Sequence, residues 1–353
     1  MEPDAPHTAA RWPKKLVRDT AASTFRLLGL TRAKRALSRL TVVTFHRVLP
    51  REQIDAYPFP DLCVTPEELD WFVRFFAQNY ECSTFHDAVE RHVAGTPSAR
   101  PRLAITFDDG QLDNAEHAAG VLARHSVAAT FFIPVDGVER GECLWHDRLA
   151  FSWRRLTTEQ APVADELART YALGPAALVA GSAGARSAVA ATKRLDAALC
   201  QQLTNAVTKA CPERPPAWAR LMTAAEVRGL AARGHEIGSH SMSHSILPNC
   251  TDLAIEREVQ DSKRSLEAML EGRSVTSFCY PNGDYDDRCI VALERAGYRQ
   301  ACTTRWGDNE PGTSPFTLRR FDMNVRHVRS WHGKLSKSVL SWRMSRLFRG
   351  RGA

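Results

Sequence analysis

Seven short apolar runs punctuate the chain, at residues 41–45, 103–107, 129–134, 234–239, 278–280, 300–304 and 316–323. Runs this short, rich in β-branched and aromatic residues and bounded by turn formers, predict strands. Helix-like stretches lie between them. Thr65-Pro66-Glu67-Glu68 is a capping box with proline in the first turn, opening a helix through Trp71, Phe72, Phe75 and Phe76. Thr223 with Glu226 caps another, which ends at Gly234. Further helices are expected over 115–125, 253–271 and 286–298. Strand and helix in alternation predict an α/β fold. Residues 137–220 break the alternation: an Ala-rich stretch from Ala161 to Ala198, closed by Pro212, Pro215 and Pro216, reads as a helical insertion between strands.

Chemistry concentrates at the ends of two of these strands. Thr106-Phe107-Asp108-Asp109-Gly110 places adjacent carboxylates where an apolar run stops. Neighbouring side chains on a strand point to opposite faces, so both can serve one site only if the chain bends out of the sheet. One carboxylate can then ligate a metal while the other stays free as a base. His240-Ser241-Met242-Ser243-His244 follows the run at 234–239. Two histidines and a carboxylate make a facial metal site with open positions. Asp-Asp-Gly by itself is ordinarily a turn, and His-x-x-x-His by itself is ordinarily a solvated helix face or turn. Their order, each behind a strand, and a third segment at Ser277 to Gly283 point to a metal centre.

On these residues the chain resembles the polysaccharide deacetylases, metal-dependent enzymes that remove N-acetyl groups from amino sugars. The resemblance runs from about Thr41 to Met323, with Thr-Phe-Asp-Asp-Gly matched at 106–110 and His-Ser/Thr-x-x-His at 240–244. It implies a distorted (β/α)7 barrel, with Asp108 as general base and Asp109, His240 and His244 as ligands of a divalent ion, zinc foremost. The family's Arg-x-Pro-Tyr is here Cys279-Tyr280-Pro281-Asn282, without the arginine. Some deacetylase-like sequences carry instead a Tyr-Pro-x-Gly segment and a late Leu-x-Arg strand, which Tyr280 to Gly283 and Leu318-Arg319-Arg320 resemble. Arg320 is thus the candidate to tether Asp108, against a surface arginine on the last strand. The final Leu-x-His of the family has no match near the C-terminus; Leu144-Trp145-His146 has the letters in another part of the chain. His46, closing the first strand, is the candidate general acid.

Composition and charge add location. At 353 residues and 44% hydrophobic content the chain can bury a large core. Nine cysteines without Cys-x-x-Cys read as reduced thiols, and no run approaches the roughly 20 apolar residues of a membrane span. Residues 1–40 hold nine Lys/Arg against three Asp/Glu, residues 323–353 eight against none, and the middle carries −7. Both basic ends interleave cations with leucine and tryptophan, which suits amphipathic helices on an anionic membrane. No nucleic-acid motif accompanies the charge. The expected organisation is a basic segment at 1–40, a barrel at 41–323 with its insertion, and a basic C-terminal helix at 324–353. The expected location is cytoplasmic, peripheral on the inner membrane face. The expected partner is an acetylated amino-sugar glycan or glycolipid, with oligomeric state undetermined. A metal amidohydrolase acting on another amide, and a glycan-binding pseudoenzyme, remain open.

Overall fold

Parallel strands whose two faces are both covered must be apolar nearly throughout, and the seven runs satisfy that by closing into a ring. The computed structural model describes residues 12–27, 37–212 and 214–345. Among these lie ten strands: β1 (Leu40–Phe45), β2 (Arg47–Val48), β3 (Cys63–Val64), β4 (Glu81–Ser83), β5 (Arg102–Phe107), β6 (Thr130–Ile133), β7 (Glu236–Ser239), β8 (Ser277–Cys279), β9 (Gln300–Trp306) and β10 (Leu318–Asp322). β1, β10, β9, β8, β7, β6 and β5 pair in that order, and β5 returns to β1 in unbroken parallel register from Leu40 opposite Arg102 to Phe45 opposite Phe107. The result is the expected (β/α)7 barrel. The sequence pattern does not reveal β4. It covers the first half of one edge of β5, with Ser83 opposite Ala104, and β6 takes over that edge at Thr106. β2 and β3 form a separate pair.

Alternation along each strand sorts the core into two. Outward residues Leu103, Ile105 and Phe107 join the helices, with Phe107 stacked between Phe131 (4.9 Å) and Phe45 (5.5 Å). Inward residues Leu40, Val42, Ala104, Phe132, Cys279, Cys302 and Leu318 fill the barrel. The helix Phe85–Val93 plugs its N-terminal end, where the Phe85 amide donates to Thr130 Oγ1. Gly238 leaves room for the Phe132 ring, which a Cβ there would meet at 2.5 Å. Two residues further along the inward face come Thr44, Thr106 and Arg320, and beyond those His46 and Asp108. The same period of two that packs the interior thus delivers polar side chains to the C-terminal mouth, where barrels of this kind carry their chemistry.

Both expected capping boxes are present, Thr65 with Glu68 and Thr223 with Glu226. The expected helices after β7 and β8 are Asp252–Met269 and Asp287–Arg295. The helix expected at 115–125 is instead divided into a π turn over Asn114–Ala118 and an α-helix over Ala119–Arg124. At its start Asp113 accepts from the Val48 amide and Arg47 Nε, and Asn114 Nδ2 donates to the His46 carbonyl. Those bonds hold the first turn toward β1, and a π turn is a common way to meet such a demand near a site. Between β6 and β7 run the helices Val135–Arg140, Trp145–Glu159, Ala161–Thr170, Ser182–Thr192 and Ala197–Ala210. The last four enclose an apolar cluster of their own around Leu149, Trp153, Leu156, Ala188, Leu203 and Val207.

Candidate functional site

Asp108 and Asp109 reach one cavity because the backbone reverses between them. Asp108 keeps the inward direction of β5, its amide donating to the Phe45 carbonyl at 3.0 Å. Asp109 then adopts φ +73° and Gly110 φ +61°, both left-handed. Such a turn is costly for a residue with a Cβ and turns Asp109 away from the outer face that alternation would give it. A Cβ on Gly110 would also meet Pro134 Cδ at 3.2 Å.

Two imidazoles converge on Asp109. His240 Nε2 lies 3.4 Å and His244 Nε2 3.2 Å from Asp109 Oδ1, and the imidazole rings are 4.7 Å apart at right angles. His240 Nδ1–H donates to the Cys279 carbonyl at 2.7 Å, so loss of the other ring proton frees Nε2, the nitrogen facing Asp109, as the lone-pair atom. His244 stands at φ +60°, in a turn where its amide donates to Ser241 Oγ and Glu258 accepts from the Met242 and Ser243 amides. Burial would raise the Asp109 pKa, but the two imidazoles hold it well below the ordinary carboxylate range. Burial pushes His244 down, whereas Cys279 and Asp109 overcome burial and hold His240 up. Two imidazole nitrogens and one carboxylate oxygen, all within 4.8 Å of one another, fit a divalent ion. Asp108, His240 and Cys279 are equally close, but the Cys279 thiol is pushed well up by burial and Asp108 is already engaged, so that set does not fit.

What engages Asp108 is Arg320. Nη1 donates to Oδ1 at 2.8 Å and Nη2 to Oδ2 at 2.7 Å, a two-pronged pair with both side chains almost wholly buried. Nε donates to the Thr303 carbonyl and Nη1 also to Thr44 and Thr106 Oγ1, so every edge of the guanidinium has a partner. Burial raises the Asp108 pKa, and Arg320 more than reverses it. Arg320 is therefore an interior residue of the barrel, not one of its surface. His46 Nε2 stands 3.9 Å from Asp108 Oδ2 and lines the same cavity, as does Asp322, whose carboxyl burial pushes up.

The cavity, about 300 Å³, sits at the lower end of ordinary ligand pockets. The insertion supplies part of its wall: His146, Val189 and Lys193 line it beside Asp109, His240 and His244. The letters Leu144-Trp145-His146 thus do lie at the site, 5.1 Å ring to ring from His244, though out of the family's order. Burial, reinforced by His244, pushes the His146 pKa well down, so its imidazole is neutral. Trp145 Nε1 donates to the His244 carbonyl and locks insertion to histidine turn. Behind them, Asp147 accepts from Tyr57 (2.6 Å) and Gln111 (3.2 Å), with Arg47 Nη1 at 3.9 Å, and burial pushes its carboxyl up to about 6. Sequence reasoning missed Lys193 altogether; a lysine at the end of an Ala-rich helix carries no signal.

Residues 191–301 match the family model described as polysaccharide deacetylase; that stretch holds His240, His244 and Tyr280 but neither aspartate nor Arg320. The chain is 30% identical over 71 residues to the chitooligosaccharide deacetylase of Sinorhizobium fredii, covering 20% of this chain and 33% of that one. It is 30% identical over 73 residues to the peptidoglycan-N-acetylglucosamine deacetylase of Bacillus cereus, covering 21% and 33%. It therefore spans about a third of the length of the curated relatives it matches. Among solved structures, the Streptococcus pyogenes deacetylase PplD in complex with acetate superposes with TM-score 0.56 at 15% identity, over 84% of this chain and 96% of that one. IcaB from Ammonifex degensii does so with TM-score 0.55 at 17% identity, over 87% and 97%. At these identities the structural likeness is one of fold.

Proposed function

We propose that this chain, a relative of the polysaccharide deacetylases, is a metal-dependent hydrolase that removes the N-acetyl group from an amino sugar of a glycan or lipid-linked glycan precursor. The reading rests on one observation: two adjacent carboxylates held for different work, Asp108 clamped by Arg320 and Asp109 shared by two imidazoles. Asp109, His240 and His244 would hold the ion, and a nitrogen-rich set of three with an open position suits zinc. The bound ion supplies Lewis-acid polarisation of the acetamide carbonyl. Asp108, kept ionised by Arg320, takes the proton of the water whose oxygen bonds to the acetamide carbon. As the C–N bond breaks, His46 is placed to give a proton to the leaving nitrogen, and the products are acetate and the free amino sugar. In the test, acetate release from an acetylated chito-oligosaccharide should stop with chelator. Asp108→Asn should keep the metal and lose about 10²–10⁴-fold in turnover. Acetate release indifferent to chelator would defeat the metal reading, and loss of metal in Asp108→Asn would exchange the two aspartates.

The same reading places the enzyme on an anionic membrane surface, acting on a lipid-linked sugar. Its support is that the described parts of both basic ends meet. The helix Trp12–Leu27 packs against Lys337–Arg343, Arg18 Nη2 donates to the Arg329 carbonyl (2.7 Å), and the Trp331 amide donates to Asp19 (2.7 Å). Leu16, Val17, Leu27 and Trp331 remain exposed there beside Lys15. Residues 1–11, 28–36 and 346–353, with Arg11, Arg32, Lys34, Arg35, Arg346, Arg349 and Arg351, lie outside the described residues. No described helix is long and apolar enough to cross a membrane. The chain should co-sediment with vesicles containing anionic lipid and release as salt rises. Leu16→Asp with Val17→Asp, both well exposed, should abolish co-sedimentation without unfolding the barrel. Undiminished binding in that variant, or none at low salt, defeats this part and leaves the deacetylase reading standing.

A further inference from the structure

The insertion brings into the cavity a cation that no carboxylate of the described residues pairs with. Arg320 commits both terminal nitrogens to Asp108, and Asp109 is matched by His240 and His244. Lys193 is different: Nζ donates to Asn282 Oδ1 at 2.7 Å and makes no ion pair among the described residues. Asp109 and Asp284 act on it only from longer range, and Asp284 accepts instead from Asn282 Nδ2 at 2.6 Å. Its backbone is fixed, since Asn249 Nδ2 donates to the Lys193 carbonyl (2.9 Å) and the Leu195 carbonyl (3.1 Å). The ammonium is thus aimed from an anchored point into a half-buried wall beside Val189, with Phe59 and Leu62 among the other lining residues. An ammonium has three N–H donors, and one is used. Partly burying a cation costs solvation that a neutral sugar hydroxyl does not return, whereas an anion does. A lysine serves as a point charge for phosphate, while carboxylates are better matched by the two-pronged arginine.

We infer that Lys193 is a specificity-determining residue that seats a phosphate of the acetamido-sugar substrate, so that a sugar phosphate or sugar diphosphate is preferred to a neutral glycan. The inference rests on the deacetylase reading of the same cavity. The two are separated by ligand-observed NMR on the full, zinc-loaded chain, which follows binding and the acetate methyl signal in one sample. The probes are N-acetylglucosamine, its 1-phosphate, N-acetylmuramic acid as a carboxylate control, UDP-N-acetylglucosamine and a short-chain prenyl diphosphate N-acetylglucosamine. The 1-phosphate should bind about tenfold to a hundredfold more tightly than the neutral sugar, the range of one hydrogen bond between charged groups. Lys193→Met should bring that ratio close to one, and Lys193→Arg should restore most of it, each variant keeping the wild-type melting temperature. A tighter nucleotide or prenyl arm names the source of the phosphate, and either supports the inference. A ratio unchanged in Lys193→Met, equal affinity for phosphorylated and neutral sugar, the carboxylate bound as well as the phosphate, or no binding at all overturns it. Phosphate-dependent binding without acetate would instead sink the deacetylase reading and leave Lys193 as an anion seat.

Discussion

If the proposed reading holds, replacing His240 with alanine should remove metal and activity together while the barrel stays folded. His240 Nε2 is one of the two nitrogens that face Asp109 Oδ1, and its Nδ1–H is fixed on the Cys279 carbonyl, so the ring has no freedom that another side chain could imitate. Losing even an outer partner of a ligand typically costs about 10- to 100-fold in metal affinity, and losing the ligand itself should exceed that. On the proposed reading two ligands, Asp109 and His244, would then remain, too few for a tight site. Folding should survive because His240 lies past the end of β7, at the mouth, and the barrel interior of Val42, Ala104, Phe132 and Cys302 is untouched. His244→Ala should behave alike. The measurement is metal content after dialysis beside acetate release and a thermal melt. Stoichiometric metal retained by His240→Ala would remove His240 from the set.

Arg320→Met is expected to damage stability and turnover at once while sparing the metal. The substitution deletes both prongs on Asp108 and leaves a buried carboxylate without its counter-charge, a change that costs about 3–5 kcal/mol in comparable pairs. Asp108 answers by moving its pKa upward, because burial is then opposed only by the weaker pull of His240 and His46. The sign follows. In the wild type the depressed pKa contributes stability that is present above the unfolded carboxylate range and is lost as pH falls through the folded value. In the variant, Asp108 is protonated to higher pH, so the acid limb of kcat/KM moves upward and the loss is deepest in weakly acidic buffer. Lys in place of Arg should not rescue it, since a single ammonium cannot span both carboxylate oxygens and also reach Thr303. Denaturant unfolding and a pH–rate profile with metal content check this. An unmoved acid limb with wild-type stability would return Arg320 to a bystander.

Most of the periodic features are legible in the chain, β4 and the π turn at Asn114–Ala118 excepted. Closure into a barrel is what the resemblance to the deacetylases implies; seven apolar runs, two capping boxes and two chemical motifs behind strands by themselves predict an α/β fold that carries Asp108, Asp109, His240 and His244 at strand ends. These follow from spacing over a few residues, which side-chain alternation and helix capping read directly. Arg320 was half legible: two residues on from the interior Leu318, alternation turns it inward, but only the closing of β10 against β1 brings it to Asp108, 212 positions away.

Tertiary structure alone decided the rest. Asp109 joins the histidines through a left-handed backbone turn that no composition announces, since most Asp-Asp-Gly segments are simple turns. The Cys279 carbonyl orients His240 through a backbone atom, for which the identity of the residue carries no signal. β4 is three residues long and is held by the gap that β6 leaves beside β5. His146 and Lys193 belong to helices whose own core has nothing to do with the barrel, yet docking sets both in the cavity wall. Local pattern determines which face of an element is buried; which elements then meet is settled by packing across hundreds of residues, and the cavity's character is settled there.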